Sequence, residues 1–121
     1  MENTKLFDSE LKLMEMIWCN APVSAKTLAS MAEAQISWNK NTTYTILKKL
    51  VEKGVVKRQD PHFICTPLIQ KEQVQKAETR SLIDKLFNGS RKAFFTAFLE
   101  QEKLTDDEIH MLKSMIDKSE G

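Results

Sequence analysis

At 121 residues, the chain is long enough for one compact domain, or for a domain with a small appendage, which excludes an elaborate multidomain enzyme. Charged residues make up 29% and hydrophobic residues 41% of the sequence, a globular balance that excludes a disordered or membrane-embedded chain. The net charge of +1 is unevenly distributed, because residues 38–58 hold six basic residues against one acid (+5), whereas residues 100–121 hold seven acids against three lysines (−4).

Neither a targeting segment nor a cysteine motif is evident. The first residues lack the basic leader, apolar run and cleavage site of a secretory signal, and no run of ~18 apolar residues occurs, so we expect a cytoplasmic protein. Cys19 and Cys65 are isolated, without CxxC or CxC spacing, and they predict neither a disulfide framework nor a metal site. A redox-responsive thiol is the alternative interpretation of these cysteines.

Three helices and a β-hairpin are predicted in the first half of the chain. Asp8 is expected to cap the first helix and Ser24 the second, which follows a minimal strand at Val23. Asn39 is expected to cap a third helix that runs to Lys53, and Gly54 is expected to end this helix as its C′ residue. In the segment 55–66, β-branched and aromatic residues flank a polar Asp-Pro turn, which predicts two short strands.

The second half is predicted to contain three further helices. A polar helix covers about residues 70–87 and ends at an Asn-Gly pair, after which Ser90 caps the next helix. Thr105 and Glu108 have the spacing of a capping box at the start of the last helix.

These elements predict a mainly α fold. Residues 1–68 are expected to form a winged helix-turn-helix domain that binds DNA, with three helices and a β-hairpin wing. Residues 69–121 are expected to form a three-helix C-terminal dimerisation region.

The third helix carries the most basic and hydroxyl-rich exposed face of the chain. An α-helix fits the major groove of DNA, where Lys, Asn and Thr side chains can meet acceptor edges, paired donor and acceptor edges or a thymine methyl group. The N-terminal end of such a helix usually enters the groove. We therefore predict that base readout is performed by Lys40, Asn41, Thr42, Tyr44 and Thr45.

A phosphate contact requires only a positive charge, or an N–H group at the N-terminus of a helix, close to the DNA backbone. Two alternatives remain open at this stage: Tyr44 packs against the wing instead of reading bases, and Lys48 and Lys49 form a solvated helix face. The residues predicted to contact phosphates are Ser24, Lys26, Thr27, Lys48, Lys49, Lys57 and Arg58.

No catalytic site, cofactor or metal site is predicted. His62 and His110 have no nucleophile or carboxylate partner in a recognisable motif. The acids at positions 106–108 lie in the first turn of a predicted helix, where they interact favourably with the helix dipole.

The C-terminal half contains more apolar side chains than ~50 residues can bury alone. This surplus predicts an interface with a second copy related by two-fold symmetry, and hence a palindromic DNA site, although a self-contained helical subdomain is the alternative. Two linked DNA-binding domains would also supply avidity. The residues predicted to form the dimer interface are Leu82, Leu86, Phe87, Phe94, Phe95, Phe98, Leu99, Ile109, Leu112 and Ile116.

Three stretches together resemble the penicillinase repressor family. They are SELKLMEMIW near the start, WNKNTTYTILKKLVEKGVVKR over the third helix and the wing base, and LFNGSRKAFFTAFLEQEKLTDDEIHMLKSMI in the C-terminal half. The resemblance implies a homodimeric repressor of β-lactamase or related resistance genes. It also implies release through a membrane-bound sensor whose signalling leads to cleavage of the repressor.

By position, the family's cleavage site corresponds to the bond between Ala97 and Phe98, although an asparagine precedes the cut in the family and Ala97 stands here. The copper-responsive branch carries a C-terminal CxC metal site. This chain has no cysteine after Cys65, which disfavours copper sensing of that type.

Two other functions compete with sequence-specific repression. The acidic C-terminal segment and the near-neutral total charge also suit a protein-interaction adaptor that uses its winged helix to bind a protein partner. A repressor that responds to a metal or to redox conditions through its cysteines is the third hypothesis.

Overall fold

The computed structural model describes residues 5–120, and it confirms the mainly α fold with three N-terminal helices, a β-hairpin wing and three C-terminal helices. Within this range, no helix combines the length and apolar character needed to cross a membrane. The elements are α1 (Asp8–Asn20), β1 (Val23–Ser24), α2 (Ala25–Ile36), α3 (Lys40–Glu52), β2 (Val56–Gln59), β3 (Ile64–Pro67), α4 (Lys71–Phe87), α5 (Arg91–Gln101) and α6 (Asp106–Glu120).

The described residues form two compact units that divide within α4, after Ala77. The first unit has a continuous hydrophobic core, because α1, α2 and α3 place their apolar faces against one another and against the sheet. The sheet is antiparallel, in the order β1-β3-β2, and Cys65 in the central strand is fully buried. The fully buried apolar side chains of the helices include Leu13, Met14, Ile17, Leu28, Leu47 and Leu50.

Several helix caps predicted from the sequence are confirmed. The Ser24 hydroxyl accepts a hydrogen bond from the Thr27 N–H at 3.1 Å, and Ser90 caps α5 in the same way. At the start of α6, Thr105 and Glu108 exchange side-chain and backbone hydrogen bonds in both directions, as in a capping box.

The cap predicted for the first helix is wrong. Asp8 is the first residue of α1, and Phe7 occupies the capping position without a side-chain oxygen to offer. Instead, the Glu10 carboxylate accepts a hydrogen bond from the Phe7 N–H at 2.8 Å. The N–H of the capping residue is therefore satisfied by the carboxylate of the third helical residue, whereas a capping aspartate would have accepted from N–H groups inside the first turn.

The same carboxylate joins α1 to the end of α3. The Lys53 ammonium donates to Glu10 Oε1 at 2.6 Å and to the Lys5 carbonyl at 3.0 Å, and it lies 4.7 Å from the centre of the Phe7 ring. Glu10 is only 2% exposed, and its second oxygen has no hydrogen-bond partner within the described residues. This charge is thus buried and depends on Lys53 for its compensation.

The segment after the wing is held against α1. The Trp18 indole N–H donates to the Ile69 carbonyl at 2.9 Å, and the Lys71 ammonium donates to the Glu15 carboxylate at 2.9 Å. This ion pair lowers the pKa of Glu15 and raises that of Lys71. Val74, in the first turns of α4, is buried in the same core.

In the second unit the phenylalanines cluster but few apolar side chains are buried. The Phe94 ring lies 5.6 Å from the rings of Phe87 and Phe95 and 6.3 Å from that of Phe98, centre to centre. Among the described side chains beyond position 77, only Ile83 is a buried hydrophobic residue. The single chain therefore leaves most of the apolar surface of this unit in contact with solvent.

Candidate nucleic-acid interface

Helix α3 has two faces with different tasks. Its N-terminus is fixed by Asn39, whose side-chain oxygen accepts a hydrogen bond from the Thr42 N–H at 2.8 Å. Its buried face consists of Thr43, Ile46, Leu47 and Leu50, which pack in the core of the first unit. This packing fixes the rotation of the helix and so determines which side chains face solvent.

The five residues predicted to read bases lie in the first two turns of α3. Lys40, Asn41 and Thr45 are exposed, so their polar atoms can reach a ligand without a change in the core. Thr42 and Tyr44 are half-buried, and each presents only part of its side chain to solvent. Three of the five residues predicted to read bases are thus exposed at the N-terminal end of the helix.

The Tyr44 side chain packs against the wing, as the alternative interpretation suggested. Its ring forms an edge-to-face pair with Phe63, with the ring centres 6.3 Å apart. Phe63 also lies under the Arg58 guanidinium, whose central carbon is 3.8 Å from the centre of the ring. Sequence reasoning missed Phe63, because only the folded hairpin brings it back to α3.

The wing turn is longer than the Asp-Pro pair suggested. It comprises the four residues between β2 and β3, of which His62 and Phe63 have positive φ angles of 78° and 50°. The turn is tied to α2, since the Ala25 N–H donates to the Phe63 carbonyl at 2.9 Å. Arg58 is fixed at the other side of the turn by an ion pair from its Nε to Asp60, at 3.2 Å.

An open groove of about 630 Å³ separates the start of α2 from the wing. Two cations, Lys26 and Arg58, border it together with the Ser24 side chain. Asp60 also lines the groove and pairs with Arg58, but the two cations outnumber this acid, so the groove favours an anion such as a phosphate group of a nucleic-acid backbone. Its full lining is Ser24, Lys26, Tyr44, Arg58, Asp60, His62, Phe63 and Ile64.

The remaining predicted phosphate contacts are at the surface. Thr27, at the start of α2, and Lys48, Lys49 and Lys57 are all exposed. Lys53, by contrast, belongs to the ion pair with Glu10, so one of the six basic residues of the segment 38–58 is committed to the core of the first unit. Lys53 therefore has a structural role, whereas the neighbouring lysines are exposed and available for DNA contacts.

The predicted dimer residues lie on α4, α5 and α6. Leu86 is 71% exposed and seven of the others are between 38% and 57% exposed, whereas Phe87 and Phe94 are half-buried within the phenylalanine cluster. Met111 and Met115 of α6, 59% and 58% exposed, belong to the same set of exposed large apolar residues, although the predicted interface omitted them. The predicted members that are exposed are Leu82, Leu86, Phe95, Phe98, Leu99, Ile109, Leu112 and Ile116.

The cysteines and the acidic residues offer little basis for redox chemistry or metal binding. Burial raises the pKa of the Cys65 thiol to about 11, so the reactive thiolate is scarce at neutral pH. Cys19 is exposed, and its thiol lies 3.7 Å from the Glu15 carboxylate. Within residues 5–120, no group of three or more His, Cys, Asp or Glu side chains is placed to hold a metal ion.

Comparison with known proteins agrees with this architecture. The sequence profile of the penicillinase repressor family matches residues 6–118. The penicillinase repressor of Bacillus licheniformis is 23% identical over 116 residues, which cover 94% of this chain and 91% of that protein. The methicillin resistance regulatory protein MecI of Staphylococcus aureus is 24% identical over 116 residues, which cover 94% of each chain. Because the profile matches nearly the whole sequence, this protein belongs to the penicillinase repressor family of DNA-binding transcriptional regulators, which are not enzymes.

Proposed function

We propose that this repressor binds a palindromic operator as a homodimer and reads its bases through the first two turns of α3. The observation that carries the proposal is the exposed set Lys40, Asn41 and Thr45 at the capped end of a helix whose opposite face is fixed in the core. The cations Lys26 and Arg58 border a groove at the start of α2. Side chains suited to base edges therefore lie in the same unit as a groove bordered by two cations.

The contacts divide into two classes with different effects on binding. Lys40, Asn41 and Thr45 are proposed to contact base edges, with Thr42 and Tyr44 contributing their exposed atoms. These contacts distinguish one sequence from another. The proposed phosphate contacts, which give affinity and salt dependence on any duplex, are those of Ser24, Lys26, Thr27, Lys48, Lys49, Lys57 and Arg58.

A selection experiment tests the proposal and identifies the operator sequence at the same time. The purified full chain is incubated with a library of random duplexes, and we expect enrichment of a sequence with two-fold symmetry. The selected site should bind more tightly than a scrambled duplex of the same length. Equal affinity for both duplexes, or no enriched sequence, would contradict specific recognition and favour the adaptor hypothesis.

A matched pair of variants then separates the two classes of contact. Asn41→Ala should relax the base preference at one position of each half-site and cost about 1–3 kcal/mol per half-site on the selected operator. Lys48→Ala should weaken binding to all duplexes alike and reduce the slope of log K against log salt by about 1 for each phosphate that is no longer neutralised. Identical behaviour of the two variants across duplexes would contradict the assignment of Asn41 to base readout.

Homodimerisation is proposed through the exposed apolar residues of α4, α5 and α6. A second copy is the proposed occupant because the exposed apolar surface spans three helices and is larger than a monomeric protein usually leaves open to solvent. A symmetric dimer would place two DNA-binding units on one duplex and so add avidity.

The regulated genes are proposed to be β-lactamase or other antibiotic-resistance genes. The support comes from the relatives, which are named penicillinase repressor and methicillin resistance regulatory protein. A cytoplasmic location follows from this role, because the repressor must reach chromosomal or plasmid DNA. Removing the protein from its host should raise transcription of the genes that adjoin the selected operator.

Release by proteolysis in the dimerisation region is proposed as the induction step, coupled to a membrane sensor protease. The candidate bond joins Ala97 to Phe98 within α5, a helix that has no buried residue in the single chain. In the proposed dimer this helix is part of the interface, so a cut between Ala97 and Phe98 would divide α5 and weaken the association of the two copies.

Mass spectrometry of the repressor from induced cells tests this step. After exposure to a β-lactam, we expect a fragment that ends at Ala97 and a complementary fragment that begins at Phe98. Uninduced cells should contain the intact chain. Full induction with an intact repressor would exclude proteolytic release, and a cut elsewhere would exclude this bond.

A further inference from the structure

The geometry points to Phe63 as a positioning residue that holds the DNA-contacting side chains Arg58 and Tyr44 in place before DNA binds. The inference rests on the proposed function, and it adds a residue that has no polar side-chain atom of its own. Phe63 contacts both side chains through its ring and α2 through its backbone. It therefore connects the wing, α3 and the start of α2, the three elements that carry the proposed DNA contacts.

The contact with Arg58 fixes a guanidinium group without consuming its donors. The Arg58 Cζ atom lies 3.8 Å from the centre of the Phe63 ring, within the range of a cation–π contact. In a stacked guanidinium the N–H donors lie in the plane of the group and point away from the ring. The ion pair to Asp60 uses Nε, so the terminal nitrogens are not the atoms that bind this carboxylate. Arg58 is thus oriented but still able to donate to a phosphate.

The contact with Tyr44 fixes the readout helix relative to the wing. The edge-to-face geometry, with ring centres 6.3 Å apart and planes at 65°, restricts the rotation of the Tyr44 ring. Tyr44 is half-buried between α3 and the wing turn, so its hydroxyl end has a defined direction. Loss of the Phe63 ring would free Tyr44 and Arg58 at the same time.

The backbone of Phe63 shows that the ring position is imposed by its surroundings. A φ angle of 50° places a bulky aromatic residue in the left-handed region, which L-residues rarely occupy. The hydrogen bond from the Ala25 N–H to the Phe63 carbonyl at 2.9 Å helps to hold this conformation. If two DNA-contacting side chains are already ordered before binding, less conformational entropy is lost when the complex forms.

The test uses three variants of the full chain on the selected operator. Phe63→Leu keeps an apolar side chain but removes the π-face, Phe63→Tyr keeps the π-face, and Arg58→Met removes the cation. We expect Phe63→Leu to lose affinity on the order of tenfold and to show a smaller salt slope, because a phosphate-binding side chain is no longer held in place. Phe63→Tyr should retain affinity within about threefold of the wild type.

A double-mutant cycle separates positioning from a general role in folding. If Phe63 acts through Arg58, Phe63→Leu should cost markedly less affinity in the Arg58→Met background than in the wild type. An equal loss in both backgrounds, or equal losses for Phe63→Leu and Phe63→Tyr, would overturn the inference.

A measurement on the wild-type protein keeps the inference testable even if Phe63→Leu fails to fold. The Arg58 side-chain protons lie over the Phe63 ring, so their NMR signals should be shifted upfield without DNA, and normal shifts would overturn the inference. The two proposals can fail separately. A wild-type protein without operator preference contradicts the proposed function, whereas specific wild-type binding with an unaffected Phe63→Leu variant contradicts the positioning role alone.

Discussion

The substitution Phe98→Asp should convert the protein into a monomer and reduce its operator affinity by a factor on the order of 100 or more. Phe98 is 44% exposed in the single chain and packs on Phe94, so it belongs to the apolar surface that a second copy is proposed to cover. In a symmetric interface the change appears twice, and each new carboxylate would have to be buried without a partner. Analytical ultracentrifugation and operator titration measure the two effects.

A charge added elsewhere on α5 provides the control. Lys92, Thr96 and Glu100 follow one another at four-residue spacing and form a polar stripe on this helix. Thr96→Asp introduces the same charge in that stripe, and we expect it to leave the dimer and the operator affinity nearly unchanged. A dimeric Phe98→Asp variant, or equal effects of both substitutions, would contradict the proposed interface.

The second large effect is on stability: Lys53→Met should lower the free energy of unfolding by about 2–3 kcal/mol. Among residues 5–120, the substitution leaves the Glu10 carboxylate in the core with the Phe7 N–H as its one donor, whereas the wild type adds a 2.6 Å bond from Lys53. Because Lys53 is itself 26% exposed, we place the loss below the range of a fully buried pair. Chemical denaturation followed by circular dichroism measures it.

Two further variants identify the cause. Lys49→Met, four residues earlier on the exposed side of α3, should change stability by less than about 0.5 kcal/mol but weaken DNA binding. Adding Glu10→Gln to Lys53→Met removes the uncompensated charge and keeps an acceptor for the Phe7 N–H, so it should restore at least half of the lost stability. If the free energy of unfolding of Lys53→Met equals that of the wild type, the ion pair between Lys53 and Glu10 does not stabilise the fold, and the prediction is wrong.

The local signals of the sequence were sufficient for the helices and for most of their caps. Ser24, Asn39 and Ser90 each cap a helix as predicted. The side-chain oxygen of a capping residue accepts from an N–H group three residues later, so the signal is entirely local. Asp8 is the exception, because the helix begins one residue earlier than predicted. The Glu10 carboxylate accepts from the Phe7 N–H and also pairs with Lys53, a residue 43 positions away that local patterns cannot reveal.

The exposure of the candidate residues was predictable in part on the helix, whereas the contacts within the wing were not. The face of α3 follows from its period, so the exposure of Lys40, Asn41 and Thr45 was accessible from the sequence. Phe63 was not, because its contacts with Tyr44 and Arg58 exist only after the hairpin folds back on α3. In the second unit, the exposure of Met111 was not predicted, because methionine occurs both as a filler of cores and at surfaces that bind partners.

The division of α3 into two faces makes this helix a favourable starting point for redesign. Residues that hold it in the core, such as Thr43 and Leu47, are fully buried, whereas Lys40, Asn41 and Thr45 are exposed. Replacing the exposed set should cost little stability, so libraries at these three positions could be screened against new target sequences on an unchanged scaffold. The same property would let natural variants of this chain acquire new targets through few substitutions.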